Sequence, residues 1–140
     1  MKKTRFTEEQ MVSIFREADQ RPVPALNETG LRALEQKFIG ELQQVPPMFS
    51  ALKKDGVRLY RLARQGKEVP RAARPIRIDK LQLAKLNDSE LEFTTTCSRG
   101  TYVRTLAADI GGELGCGAHL KMLRRTACDH LSIENAIGIA

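Results

Sequence analysis

No stretch of this chain approaches eighteen consecutive apolar residues, which excludes a helix built to cross a membrane. The N-terminus carries no apolar core of the secretory kind, so a cytoplasmic protein is expected. Cysteine is scarce and odd in number, three with no Cys-x-x-Cys pair. That argues against a disulfide framework and against a zinc site. Cys97, in phase with a buried strand face, reads as a structural thiol. Internal repeats and low-complexity tracts are lacking too. What remains is 140 residues, 41% hydrophobic and 29% charged, enough for one globular domain with a modest core.

The net charge is +6, and it is concentrated. Between Phe49 and Ile78 stand nine cations (Lys53, Lys54, Arg58, Arg61, Arg64, Lys67, Arg71, Arg74, Arg77) against Asp55 and Glu68. This one stretch carries more than the whole net positive charge. It suits either a polyanionic partner or a solvated basic face.

The chain is organised around residues 97–106. Before them Leu91, Phe93, Thr95 and Cys97 alternate with the period of a half-buried strand. After them Val103, Leu106, Ala107, Ile110 and Leu114 recur at helical spacing, a set expected to be buried. Gly100 then marks a strand-to-helix corner, with Thr101 as the expected N-cap. Arg104 falls in the first helical turn, where the macrodipole disfavours a cation by roughly 0.3–1 kcal/mol. A local rule broken in this way marks either a functional residue or a surface Arg paired with a nearby acid.

In chain order, Thr7-Glu8-Glu9-Gln10 is a capping-box pattern, and Met11, Ile14, Phe15 and Ala18 form an apolar stripe, which predicts a helix over 7–20. Pro22 and Pro24 end it. Asn27 is placed to cap a second helix carrying Leu31, Leu34 and Phe38, and an extended segment is expected after Gly40. A short helix over 57–65 sets Leu59, Leu62 and Ala63 against Arg58, Arg61 and Arg64, with Gly66 as its stop. Ile76 and Ile78, then Leu81 and Leu83, alternate with a phase slip that predicts a bulge. Asn87-Asp88 signals a turn, so 76–86 and 90–97 should form a hairpin. The central helix ends near Gly115, strand is preferred for 118–126, and Ser132 is positioned to cap a last short helix.

Three ordered blocks carry a family resemblance. Ser98-Arg99-Gly100-Thr101-Tyr102-Val103-Arg104-Thr105-Leu106 resembles the Ser-Lys/Arg-Gly-Thr-Tyr-Ile/Val-Arg motif of TruB-type tRNA pseudouridine synthases. Gln44-Val45-Pro46-Pro47-Met48-Phe49-Ser50-Ala51-Leu52-Lys53, followed by Gly56 and Arg58-Leu59-Tyr60, is similar to a second family block. Leu114-Gly115-Cys116-Gly117-Ala118-His119-Leu120, followed by Leu123-Arg124-Arg125-Thr126, is similar to a third. The resemblance runs from about Pro24 onward. Residues 1–23 instead resemble the first helix of the helix-turn-helix domain in insertion-sequence transposases. The recognition helix and the Trp of that domain are missing, and this chain has no Trp at all. Residues 1–23 therefore read as a graft, and DNA binding through them is not expected.

The resemblance implies an α+β fold with a mainly antiparallel sheet and flanking helices, residues 24–140 being the C-terminal part of the catalytic domain. It implies isomerisation of uridine to pseudouridine in the T-arm of tRNA, without cofactor or metal and without a membrane partner. The target base must leave its stack, and a carboxylate must act at the reacting nucleotide. In the resembled family that carboxylate is an Asp in a Gly-x-Leu-Asp-Pro loop, and no such loop occurs in these 140 residues. By position Arg104 matches the Arg that pairs with that Asp, and Tyr102 the Tyr lining the uracil pocket. Leu123 matches the apolar pocket residue, and Arg125 lies where the family meets RNA backbone. Lys53, Arg58, Arg61 and Arg64 are candidate phosphate contacts. Phe49 departs from the usual Tyr. The expectation is a truncated synthase, inactive alone, with apolar surface through which it could associate with itself. A non-catalytic RNA-binding remnant is the alternative, and a DNA-binding transposase accessory is a third reading for which only the first helix speaks.

Overall fold

A computed structural model describes the backbone of residues 5–13 and 24–138, and the side chains of 24–138. In chain order the elements are β1 (Arg5–Ser13), α1 (Glu28–Phe38), β2 (Gly40–Gln44), β3 (Lys53–Lys54), β4 (Val57–Arg58), α2 (Leu59–Arg64), β5 (Arg74–Lys85), β6 (Glu90–Ser98), α3 (Val103–Leu114), β7 (His119–Cys128) and β8 (Leu131–Ser132), with a 3-10 turn at Ile133–Asn135. Six strands form one sheet in the order β2-β5-β6-β1-β7-β8, and every pairing in it is antiparallel. β3 and β4 make a separate small hairpin.

The expected α+β architecture is what forms. The hairpin runs as the alternation requires, with Leu91, Phe93, Thr95 and Cys97 all buried on one face of β6. The phase slip in β5 is a register shift between Ile78 and Lys80. Thr95 faces inward with the rest of its strand face, and its hydroxyl donates to Lys80 O of the shifted strand at 2.9 Å, so the buried oxygen is satisfied. On this face α1 packs through Leu31 and Leu34, and α3 through Val103, Leu106, Ala107 and Ile110. Leu114, expected to be buried with them, is only half-buried. Lys37 of α1 and Glu113 of α3 join the helices by an ion pair. β2 pairs with β5 only as far as Ile78, so the outer edge of β5 would be bare beyond that residue. Buried Glu35 of α1 covers it by accepting from Leu83 N at 2.7 Å.

Local signals behave as their chemistry predicts at several ends. Asn27 Oδ1 accepts from Gly30 N at 2.7 Å, an N-cap in the ordinary sense. Gly115 closes α3 in the left-handed region at φ +79°. Ser132 Oγ accepts from Glu134 N at the final turn. The expected helix over 57–65 starts at Leu59, because Val57 and Arg58 are taken by the β3–β4 hairpin.

Two further expectations are corrected. Residues 7–13 belong to a strand, not to a helix over 7–20; residues 14–20 lie outside the described residues. β1 pairs with β6 on one side and β7 on the other. A capping box contributes only about 0.5–2 kcal/mol, which cannot compete with satisfying the backbone edges of two neighbouring strands. Thr101 is not the N-cap of α3. That position is Tyr102, with no side-chain cap, while Thr101 Oγ1 donates to Ser98 O at 2.8 Å and closes the corner. Gly100, at φ +86°, makes that corner possible.

Candidate active site

The strand-to-helix corner is fixed from both sides before α3 begins. Ser98 Oγ accepts from Arg77 N of β5 at 2.9 Å. Gln44, at the end of β2 and buried, grips the backbone of Tyr102 twice. Its Nε2 donates to Tyr102 O at 3.0 Å, and its Oε1 accepts from Tyr102 N at 2.8 Å. The segment after Gln44 leaves β2 through Val45, Pro46 and Pro47 and returns against α3. There Arg104 Nη2 donates to Phe49 O at 2.8 Å.

Between this segment and α3 lies an open cleft of about 410 Å³, walled by Pro46, Pro47, Arg71, Arg104 and Asp109 among others. Arg104 is exposed on its α3 wall, and no carboxylate of the described residues comes within ion-pair distance of its guanidinium. The reading of Arg104 as a surface Arg paired with a nearby acid therefore has no such acid among the described residues. Asp109 lies five residues further along α3. Partial burial in the cleft wall raises its carboxyl above the usual carboxylate value of 3.8.

The remaining residues singled out from sequence lie outside the lining of this cleft. Tyr102 is half-buried at the corner. Lys53 and Arg58 face each other across the β3–β4 hairpin, two like charges directly opposite, an arrangement that costs stability unless an anion lies between them. Arg61 is exposed on α2, and the Arg64 guanidinium stacks over the Tyr60 ring, 5.5 Å from its centroid. Leu123 and Arg125 are exposed on β7, and neither lines the Arg104 cleft. Sequence reasoning gave no role to Gln44. Its only signal was its place as the first residue of the Gln44-Val45-Pro46-Pro47 block.

The family comparison decides what this arrangement belongs to. Residues 2–103 match the model of the TruB family pseudouridylate synthase N-terminal domain, and residues 104–139 that of the tRNA pseudouridylate synthase B C-terminal domain. The chain belongs to the TruB family of pseudouridine synthases. Among curated relatives, tRNA pseudouridine synthase B of Geotalea uraniireducens is 58% identical over 111 residues, 79% of this chain and 36% of the relative. The protein of the same name from Methylobacillus flagellatus is 47% identical over 120 residues, 86% of this chain and 39% of the relative. The chain thus spans well under half the length of these relatives. A chain in the crystal structure of a Cbf5-Nop10-Gar1 complex shares the fold with a TM-score of 0.63 at 23% identity, over 89% of this TruB-family chain and 30% of that one. A structure of an H/ACA RNP bound to a substrate RNA gives a TM-score of 0.57 at 19% identity, over 88% and 28%.

Proposed function

We propose that these 140 residues are the arginine-bearing part of a tRNA pseudouridine synthase site, able to hold the T-arm stem-loop but unable to isomerise uridine without a carboxylate from elsewhere. The observation that carries this reading is the state of Arg104. It is tethered to Phe49 O, exposed on a cleft wall, and without a carboxylate partner among the described residues. The tether occupies one Nη and leaves the rest of the planar fork free to grip a carboxylate in two bonds.

The reaction breaks the C1′–N1 bond of uridine and joins C1′ to C5 of the same base, with the C5 proton lost at the end. A carboxylate at the flipped nucleotide carries the chemistry. In this reading Arg104 orients that group, and Tyr102 and Leu123, which lie outside the lining of the Arg104 cleft, meet the uracil from the corner and from β7. Arg125 and the cations Lys53, Arg58, Arg61 and Arg64 meet RNA phosphates. Residues 24–140 are the C-terminal part of the catalytic domain, and residues 1–23 a graft whose β1 fills the place between β6 and β7. Self-association belongs to the same reading, since Met122, Leu123, Leu131 and Ile133 leave apolar surface exposed around β7 and β8. The DNA-binding alternative rested on a first helix, of which residues 7–13 are strand.

Competition binding tests the partner. A T-arm stem-loop RNA should bind the chain in preference to a DNA duplex of equal length. Equal affinity for the two, or no binding of the stem-loop, would overturn the reading.

A further inference from the structure

Among the described aromatic side chains, Phe93 is buried and Phe38, Tyr60 and Tyr102 are half-buried, while Phe49 stands 57% exposed. One exposed apolar residue is ordinary on a protein surface. What sets Phe49 apart is that the chain beneath it is fastened on both sides. Arg104 Nη2 donates to the Phe49 carbonyl at 2.8 Å. Ser50, next in sequence, is buried; its N–H donates to Met48 O at 2.9 Å and its carbonyl accepts from Tyr60 N at 3.1 Å. Leu52 O accepts from Leu59 N at 2.7 Å, which ties the far end of the segment to the start of α2. Pro46 and Pro47, each with φ set by its ring, lead into it. The ring is therefore held out of the core on a fixed support, and little ordering remains to be done when a ligand meets it.

Its place gives the ligand its chemistry. The Phe49 carbonyl is one hydrogen bond from the guanidinium on the cleft wall, so the ring stands beside the position that the reading above gives to the flipped nucleotide. A phenyl ring has no polar atom to offer, and its use to a polar ligand is its face. Extruding a base from its stack uncovers the face of the base next to it. An aromatic side chain set beside the site can cover that face.

We propose that Phe49 stacks on a nucleobase that neighbours the target uridine and takes the stacking place that the flipped base has left. This rests on the RNA reading above and adds a base contact that neither the family motif nor the charge assigns. It is a neutral contact, independent of the phosphate contacts of the basic stretch.

The test measures binding of a T-arm stem-loop across a salt series by the full chain and its Phe49→Ala, Phe49→Leu and Phe49→Trp variants, alongside thermal melting. Phe49→Ala should weaken binding about tenfold to a hundredfold at every salt concentration. The salt slope should not change, because no phosphate contact is lost. The melting midpoint should hold, since the ring is exposed and the carbonyl that accepts from Arg104 remains. Phe49→Leu, apolar but without a π-face, should not restore the affinity. Phe49→Trp should keep it, and its emission, the sole tryptophan signal of the chain, should be quenched by the RNA. Removing the base of one loop nucleotide other than the target uridine should abolish the difference between the parent and Phe49→Ala. Unchanged affinity in Phe49→Ala, a loss matched by a lower melting midpoint, recovery in Phe49→Leu, or a difference abolished only by removing the target uracil would overturn the inference while leaving the RNA reading intact. A failure of the unsubstituted chain to bind the stem-loop would overturn both.

Discussion

Gln44 and Tyr102, 58 residues apart, are joined by a two-point clamp in which one side-chain amide satisfies both the N–H and the C=O of a single peptide position. The clamp fixes where α3 starts, and with it where Arg104 points. Gln44→Ala leaves Tyr102 N–H without its partner, while Tyr102 O still accepts from Leu106 N at 3.0 Å, and about 1–3 kcal/mol of stability should be lost. Gln44→Glu keeps the acceptor but turns a carboxylate oxygen toward Tyr102 O, so it should not rescue. Urea midpoints at constant slope measure both. A change below about 0.5 kcal/mol in Gln44→Ala would contradict the clamp.

Adjacent glycines in α3 should respond in opposite directions. A Cβ on Gly111 would lie 2.3 Å from Ala118 N and 2.4 Å from Gly117 C, so alanine there must push β7 away from the helix. A loss of about 1–3 kcal/mol or more is expected. A Cβ on Gly112 meets nothing within 4 Å. Alanine at that position should stabilise by about 0.4–1 kcal/mol through the unfolded state. Thermal melts of the two variants decide this, and similar shifts in both would contradict the close approach of α3 to the start of β7.

The elements that were legible in the sequence are those whose cause is local. Asn27 announces its cap three residues before the N–H it meets, and Gly115 supplies the one backbone conformation that closes α3. The Ile76–Leu83 phase slip is itself the bulge. What failed was non-local. Nothing within residues 7–13 says that two strands some eighty residues or more away offer their edges to it. Gln44 looks like any strand-end amide until the chain returns to Tyr102. Arg104 stood out locally as a cation in a first helical turn, but its cleft, and the absence of a described carboxylate partner in it, needed the fold.

Asp109 gives the molecule a pH dependence of definite sign. Burial raises its folded-state value above the ordinary 3.8. The folded state therefore takes up this proton first as pH falls, and stability from this group is fully present below the unfolded value and lost as pH rises through the folded one. Asp109→Asn should be more stable than the parent at neutral pH, and the difference should vanish below about pH 3.8. Unfolding measured at the two pH values checks it, and a parent that is the more stable at neutral pH would contradict the burial of this carboxyl.

The basic stretch has its own signature. If Arg58, Arg61 and Arg64 meet phosphates, the affinity for a T-arm stem-loop should fall steeply with salt, and replacing all three by Ala should lower the slope by about two to three. An unchanged slope would assign these residues to a solvated face.

The account turns on Arg104 lacking a carboxylate partner among the described residues, so the most direct measurement is pseudouridine formation by the purified chain on T-arm RNA. The account predicts none above a buffer control, because loss of the group that carries the chemistry costs several orders of magnitude that binding cannot restore. Pseudouridine formed by the chain alone and abolished by Arg104→Ala would contradict it. That result would turn attention to Asp109, the aspartate that shares the cleft with Arg104.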